Sequence, residues 1–265
     1  MLQKTNQAIQ ILTPQQFDTY LPKYDNFYIG SNTCPFLLPQ PEIFQSYLKK
    51  SQKNKKRLTL LTPLLPNNYF EYLDKIIKII KNNQAENIFE LVFNDWGGWD
   101  YLKNKNIKLI AGIFIANQKK DPYYAHFKTK FDKICTYNVI NNPLFADWLL
   151  KNEIDTIELE NLGQGIALDN LKNLKINLYT PYIIFSLSRT CPLALIKQAN
   201  NYLKIIKNCP NYCLNPQNQP LQFTNKYYTS FYKGNFQTYK STRQIEKNRF
   251  NKIINNSLLL EPKVS

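Results

Sequence analysis

Residues 58–94 read LTLLTPLLPNNYFEYLDKIIKIIKNNQAENIFELVFN, and this stretch decides the fold class. Its two ends, 58–62 and 89–94, are short apolar runs of the kind that form buried strands. Between them, apolar residues recur at helical spacing, which predicts a helix over Tyr69–Lys81. A strand, a helix and a second strand joined by short links are typical of a β/α unit with parallel strands.

The same alternation continues through most of the chain. A second helix is predicted over Pro143–Asn152, where Asn142 can cap the first turn and a proline suits the first helical position. Strands are predicted at Phe27–Gly30, Leu58–Thr62, Phe89–Asn94, Lys108–Ile115, Thr156–Glu160 and Ile176–Thr180. Continuously apolar strands separated by helices indicate an α/β fold, here an incomplete (β/α) TIM-barrel-like domain.

The composition changes towards the end of the chain. Leu221–Thr224 and Tyr228–Tyr239 are predicted as strands, and Lys233-Gly234-Asn235 is a candidate hairpin turn. We therefore expect residues 1–220 to form the barrel-like domain with the cysteines. Residues 221–265 are expected to form a small C-terminal β appendage and the tail of the same unit.

The charge of the chain keeps an RNA-binding function open. Its 34 lysines and arginines exceed its 19 acidic residues, which gives a net charge of +15, and basic side chains neutralise phosphates. Only four of the basic residues are arginines, whereas recognition of phosphates or guanines favours arginine. The basic run 49–57 precedes an apolar strand and is interpreted as a solvated helix end or loop.

The N-terminal residues are polar and do not have the basic and then apolar pattern of a secretory signal. No apolar run reaches the roughly 18 residues that a membrane span requires. We therefore predict a cytoplasmic protein, and structural disulfides are rare in that compartment.

Four cysteines are placed as if to bind one metal centre: Cys34, Cys191, Cys209 and Cys213. The last two form a C-x3-C pair in a polar, proline-containing stretch. Four thiolates bind Zn²⁺ tetrahedrally, and four thiolates from separate loops of a large domain also suit a [4Fe–4S] cluster. The spacing alone leaves both metals open. Cys135 is interpreted as a small buried core residue.

In a parallel β/α domain, functional side chains gather at the carboxyl ends of the strands. The polar residues at these ends are the candidate catalytic or ligand-orienting residues, namely Asn94, Asp95, Glu158, Glu160 and Arg189. The sole histidine, His126, is interpreted as a surface loop residue. A metal site built from several histidines is therefore excluded.

Four segments carry a resemblance to a known family. They are FYIG at 27–30 leading to Cys34, FNDWG at 93–97, DTIELENLGQG at 155–165, and PY at 181–182 before RTCP at 189–192. In this order and spacing they resemble the collagenase-like peptidase family, peptidase family U32, over about residues 25–240. Within that family, the chain is most similar to the branch that supports ubiquinone biosynthesis without oxygen.

The resemblance implies both a cofactor and a partner. It implies Cys34, Cys191, Cys209 and Cys213 as the ligands of a [4Fe–4S] cluster, and zinc stays the alternative. It also implies an incomplete (β/α) barrel, a UbiU-like partner subunit, and a small aromatic or quinone precursor as the substrate of hydroxylation. Longer relatives hydroxylate RNA, which keeps RNA as the alternative ligand.

The peptidase signature of the family, an acidic residue followed by a Gly-Ser-Cys-type core, is absent. Residues 184–191 read IFSLSRTC instead. We therefore expect a component of an iron–sulfur hydroxylase rather than a peptidase.

Overall fold

The computed structural model describes residues 6–125, 132–169, 171, 173–188, 190–198, 209–215 and 217–260. Within these residues the strands are β1 (Asn6–Ile11), β2 (Asn26–Gly30), β3 (Arg57–Leu61), β4 (Phe89–Phe93), β5 (Leu109–Ala111), β6 (Thr156–Glu160), β7 (Lys175–Thr180), β8 (Tyr182–Leu187), β9 (Leu221–Thr224), β10 (Thr229–Lys233), β11 (Phe236–Lys240) and β12 (Lys252–Asn255). The α-helices are α1 (Pro14–Tyr20), α2 (Pro41–Lys53), α3 (Phe70–Asn82), α4 (Trp96–Leu102), α5 (Ile113–Ala116), α6 (Asp132–Thr136), α7 (Pro143–Lys151) and α8 (Pro192–Gln198).

Eight parallel strands close into a barrel in the order β1-β12-β7-β6-β5-β4-β3-β2. The expected α/β, TIM-barrel-like fold is confirmed. The ring of strands is closed rather than incomplete, because β12 lies between β1 and β7. Ala8 pairs with Ile254 on one side of β12, and Asn177 pairs with Lys252 on the other.

The sequence analysis did not predict the two strands that close the ring. β1 reads NQAIQI and β12 reads KIIN, so neither contains more than two consecutive apolar residues. β12 lies within the segment 221–265, which therefore supplies part of the barrel wall as well as strands outside it.

One predicted strand, Lys108–Ile115, is only partly correct. The strand ends at Ala111, and α5 begins at Ile113. The amide N of Gly112 donates to Phe93 O (2.8 Å), so the chain is held to β4 at the point where it turns into the helix.

The predicted helices are confirmed within a residue or so at their ends. α3 buries the apolar stripe Leu73, Ile76, Ile77 and Ile80. Asn142 caps α7, since its side chain accepts a hydrogen bond from Leu144 N (3.0 Å). The basic run 49–57 forms the exposed end of α2 and the turn before β3, as expected.

A second, antiparallel sheet has the strand order β8-β11-β10-β9 and confirms the predicted appendage. Its hairpin turn lies at Gly234-Asn235, between paired Lys233 and Phe236. Apolar side chains of this sheet, among them Tyr182 and Ile184, pack in one cluster with Tyr28 and Tyr179 from the barrel interior. The appendage therefore covers the barrel interior from one side.

Among the described residues, none of the helices has the length and apolar character needed to cross a bilayer.

Candidate functional site

Cys34 lies in the loop between β2 and α2. Gly30 ends β2 with a φ of 88°, and a Cβ there would lie 2.9 Å from Leu61 O, so the turn into this loop requires glycine. Next in the loop, the buried hydroxyls of Ser31 and Thr33 lie 2.8 Å apart. Contacts between residues of the loop itself thus hold the segment that carries Cys34.

The other predicted ligands also lie at turns. Cys191 precedes α8, and its carbonyl accepts a hydrogen bond from Leu195 N (3.0 Å). Cys213 lies in a short 3-10 helix, Tyr212–Leu214. The preceding residue, Asn211, has a left-handed backbone conformation with a φ of 59°. Cys209, Cys213, Cys191 and Cys34 are all free and partly buried.

The turn Gly234-Asn235 of the small sheet joins the segments that carry three of these cysteines. Asn235 Nδ2 donates to Thr33 O (2.6 Å), beside Cys34, and to Ser188 O (3.0 Å), which precedes Cys191 in the chain. A Cβ at Gly234 would lie 3.9 Å from the Sγ of Cys213. One hairpin therefore contacts the segments of Cys34, Cys191 and Cys213.

The four thiols also interact electrostatically. Burial, together with a smaller contribution from negative charge on Cys213, Cys191 and Cys209, raises the pKa of Cys34 to about 12. Burial likewise raises the pKa of Cys213 to about 11, although Lys233 acts in the opposite direction. The pKa of Cys191 is raised by burial and by Cys209. Four thiolates could share this region only with a compensating cation.

The donor set fits a sulfur-bound metal group, because four free thiols lie within electrostatic range of one another. The described residues contain no group of three or more histidine, cysteine, aspartate or glutamate side chains arranged around a single ion. Thiolates around Zn²⁺ would lie about 3.8 Å apart, since each sulfur is ~2.3 Å from the ion. Cys34, Cys191, Cys209 and Cys213 would equally hold a [4Fe–4S] cluster, which would supply one-electron transfer.

Cys135 lies on α6 and is only partly buried, so its interpretation as a buried core residue is wrong.

Asn94 follows β4 and connects three loops of the barrel. Its Nδ2 donates to Asn32 Oδ1 (2.8 Å) and to Thr62 O (2.7 Å), while its Oδ1 accepts from Phe114 N (3.2 Å). Asn94 is buried. Every polar atom of its side chain is thus engaged in holding the loops together, including the loop of Cys34.

Asp95 caps α4. Its Oδ1 accepts a hydrogen bond from Gly98 N (2.7 Å), and its Oδ2 accepts one from Leu65 N (3.2 Å). The carboxylate therefore fixes the start of the helix and the loop after β3.

Glu160, at the end of β6, anchors the small sheet to the barrel. It is fully buried and forms an ion pair with Lys120. Its Oε1 accepts from Ile184 N of β8 (2.6 Å). Its own amide N donates to Gln118 Oε1 (2.7 Å). Glu160 thus acts as a structural anchor in the described geometry.

Glu158 differs from the other candidates because the contacts described for its carboxyl group are all with side chains. It is fully buried in the barrel, and Tyr179 OH donates to its Oε2 (2.9 Å). Burial raises the pKa of Glu158 to about 8, although Tyr179, Lys252 and Tyr28 act to lower it. Glu158 therefore holds a proton at neutral pH, as a general acid would.

Arg189 and His126 lie outside the described residues. Their predicted roles therefore stay predictions.

An open cleft of about 250 Å³ lies beside β8. Its walls come from α5, from the segment that follows it and from β8, including Phe114, Lys120, Phe185 and Ser186. The ammonium of Lys120 lies 5.2 Å from the centre of the Phe114 ring. The lining of this cleft thus combines aromatic and polar side chains.

Sequence reasoning missed the polar residues inside the barrel. Tyr28, Glu90, Asn177 and Lys252 are buried there with Glu158. A signal was present, since Glu90 interrupts the otherwise apolar strand FELVF. A carboxylate in a strand buried on both faces requires a buried partner.

Comparisons with known proteins add the following findings. No protein-family model matches the chain, and no curated protein matches it. Among solved structures, a U32 peptidase matches with a TM-score of 0.49 and 9% identity, covering 96% of this chain and 93% of that chain.

Two further structures match over a smaller part of the chain. An N-(5'-phosphoribosyl)anthranilate isomerase from Pyrococcus furiosus has a TM-score of 0.40 and 11% identity, covering 66% of this chain and 76% of its own. A dihydrodipicolinate synthase from Agrobacterium tumefaciens has a TM-score of 0.35 and 12% identity, and the match covers 66% of this chain and 63% of that chain. The closed ring of parallel strands, rather than these similarities, defines the fold.

Proposed function

We propose that this chain is a [4Fe–4S] protein of the UbiV type, which supports oxygen-independent hydroxylation of an aromatic or quinone precursor in ubiquinone biosynthesis. One observation carries the proposal. The hairpin turn Gly234-Asn235 contacts the segments of Cys34, Cys191 and Cys213, which are far apart in sequence. The absence of the peptidase signature favours a hydroxylase component over a peptidase.

Cys34, Cys191, Cys209 and Cys213 would hold the cluster. When bound, it would supply one-electron transfer. Zn²⁺ also binds four thiolates, so the donor set fits either metal group. Zinc stays the alternative, and metal analysis of the purified protein distinguishes it from iron.

The other candidates would support the site in different ways. Asn94 holds the loop of Cys34 through Asn32. Glu160 holds β8, which leads to Cys191. The cleft beside β8 would admit the substrate, with its aromatic ring against Phe114 or Phe185. Glu158, Asn94, Asp95, Glu160 and Arg189 thus stay candidates, and burial raises the pKa of Glu158 to about 8.

The experiment is anaerobic purification followed by metal analysis and an absorbance spectrum. We expect iron and acid-labile sulfide in equal amounts, together with the broad visible absorbance of an iron–sulfur cluster. Cys209→Ala should lose most of both. Cys135→Ala is the matched control and should keep them. A colourless protein that contains one zinc ion and no iron would overturn the proposal.

We further propose a UbiU-like partner subunit. The edge strand β9 supports a protein contact, because Leu221 and Phe223 are exposed on it and the ring of Phe223 lies 5.7 Å from that of Tyr232. Exposed apolar edge strands favour pairing with another chain. Co-purification with such a subunit should be lost in the double variant Leu221→Ser and Phe223→Ser. Leu144→Ser, at another exposed position, is the control.

A further inference from the structure

The cleft beside β8 has room for one aromatic ring with a small substituent. Its volume is about 250 Å³, whereas a cavity of roughly 150 Å³ is enough to hold benzene. Pockets for larger ligands of the size of a drug usually have at least roughly 300 Å³. The volume therefore limits the enclosed part of a ligand to a single substituted ring.

The aromatic walls of the cleft are held in place by contacts within the protein. The main chain of Phe114 is fixed because its amide N donates to Asn94 Oδ1 (3.2 Å). The ring of Phe185 packs edge-on against two tyrosines, with 6.3 Å between the ring centres for Tyr228 and 5.6 Å for Tyr239. A ligand ring would thus enter a preformed space, which lowers the entropic cost of binding.

The only charged side chain among the described residues that line the cleft is already neutralised. Lys120 forms an ion pair with Glu160, and both Lys120 Nζ and Glu160 Oε2 are inaccessible to solvent. The ring of Phe114 lies 5.2 Å from the same ammonium. A charged ligand would lose water here without gaining a partner of opposite charge, so the cleft disfavours anions and cations alike.

The polar groups that a ligand can reach are neutral. Asn117, which follows α5, and Ser186 of β8 both line the cleft and are exposed. No hydrogen bond joins the amide of Asn117 or the hydroxyl of Ser186 to another side chain or carbonyl in the described part of the chain. Both groups can donate and accept hydrogen bonds. They suit a ring that carries a hydroxyl, carbonyl or amide group.

We propose that this cleft selects an uncharged ligand with one aromatic or quinone ring and a hydrogen-bonding substituent. Phe114 and Phe185 would hold the ring, while Asn117 and Ser186 would bind the substituent and determine specificity. The inference rests on the proposed function, because it takes the cleft as the substrate site. It narrows the substrate to a neutral phenol or quinone and excludes an aromatic carboxylate.

Benzamide, benzoate and benzamidine test the selectivity for a neutral ligand. All three have one ring and one planar substituent of similar size, but at neutral pH benzamide is uncharged, benzoate is an anion and benzamidine is a cation. Ligand-observed NMR measures the three dissociation constants. We expect benzamide to bind at least about tenfold more tightly than either ion. Benzoate or benzamidine binding as tightly as benzamide, or no binding of benzamide, would overturn the proposal.

Two variants test whether benzamide binds in this cleft. Asn117 has a φ of 44°, which glycine adopts readily, so Asn117→Gly removes the amide without straining the turn. Ser186→Ala removes the hydroxyl. Each variant should weaken benzamide binding by about fivefold, the effect of one lost hydrogen bond. Ser46→Ala, at an exposed position of α2, is the control and should bind like the native protein. Native affinity in both Asn117→Gly and Ser186→Ala would contradict the assignment.

The measurement is made on the protein as purified, whichever metal it contains. Iron-free protein that prefers benzamide would refute the proposed cluster and leave the neutral cleft standing. Protein that contains the cluster but binds benzoate as tightly as benzamide would refute only the inference about the cleft. The two proposals therefore fail in distinguishable ways.

Discussion

The barrel has two polar regions, and they differ in what their side chains bind. At the strand ends, Asn94, Asp95 and Glu160 bind main-chain groups of loops and of β8. In the interior, Glu90 and Glu158 bind other side chains. The first arrangement fixes backbone and therefore positions the cysteine loops. The second pairs Glu90 and Glu158 with other buried side chains. Carboxylates of the same barrel thus hold loops and β8 in place or bind interior side chains, according to their partners.

The largest effect is expected at Glu160. Glu160→Ala leaves Lys120 buried without its partner and removes the acceptor of Ile184 N. Removing one partner of a buried ion pair costs about 3–5 kcal/mol of unfolding free energy. Urea denaturation measures the loss. Asp18→Asn breaks the exposed pair with Lys50 and should cost less than about 1 kcal/mol. Similar losses in both variants would contradict the role of Glu160 as an anchor.

The second-largest loss of unfolding free energy is expected at Asn94. Asn94→Ala leaves the buried carbonyl of Thr62 and the amide of Phe114 without this partner, at a cost of about 2–3 kcal/mol in unfolding free energy. On the proposed function, the variant should also lose iron more readily, because the loop of Cys34 is released from Asn32. Chemical denaturation and iron content check the two parts. A destabilised variant that retains iron as firmly as the native protein would show that Asn94 stabilises the fold but does not help to hold the metal site.

The contribution of Glu158 to the unfolding free energy should depend on pH. Burial raises its pKa from 4.5 to about 8, so the folded state holds one more proton than the unfolded state between these values. The contribution of Glu158 to the unfolding free energy is constant below about pH 4.5. As the pH rises towards 8, the unfolding free energy falls by up to about 1.4 kcal/mol per unit. Glu158→Gln should remove this decline in urea titrations across that window. An unchanged slope would show that Glu158 does not hold the proton.

The smallest effect is expected at Asp95. Asp95→Ala removes the cap of α4 and should lower the unfolding free energy by about 1 kcal/mol. Asp95→Asn keeps an acceptor for Gly98 N and should restore most of the loss. Thermal unfolding of the pair checks this. A variant Asp95→Asn as unstable as Asp95→Ala would mean that charge, rather than the hydrogen bond, matters here.

The sequence predicted the strands that alternate with helical segments, as with Phe89–Phe93 after α3 and Thr156–Glu160 after α7. It did not predict β1 and β12, whose polar residues are satisfied only after the barrel closes. Buried Lys252, for example, finds its partner Glu90 on another strand. Short-range patterns do not contain such pairs.

The candidate site shows the same limit. Cys34, Cys191 and Cys213 could be selected from residue type and spacing, and the hairpin at Gly234 indeed contacts their segments. The structural tasks of Asn94 and Glu160 could not be predicted, because their partners Asn32 and Ile184 are distant in sequence. The partners of Glu158 are likewise supplied by other strands, which is why its altered pKa could not be predicted either.

The position of β12 sets an order of events during synthesis. β12 holds β1 and β7 together, yet it leaves the ribosome long after both. The turn Gly234-Asn235, which secures the loop of Cys34, also emerges late. Cys34 is thus exposed on a nascent chain well before its site can be assembled. We expect insertion of any metal group to follow translation, and the cell must keep this thiol reduced until then.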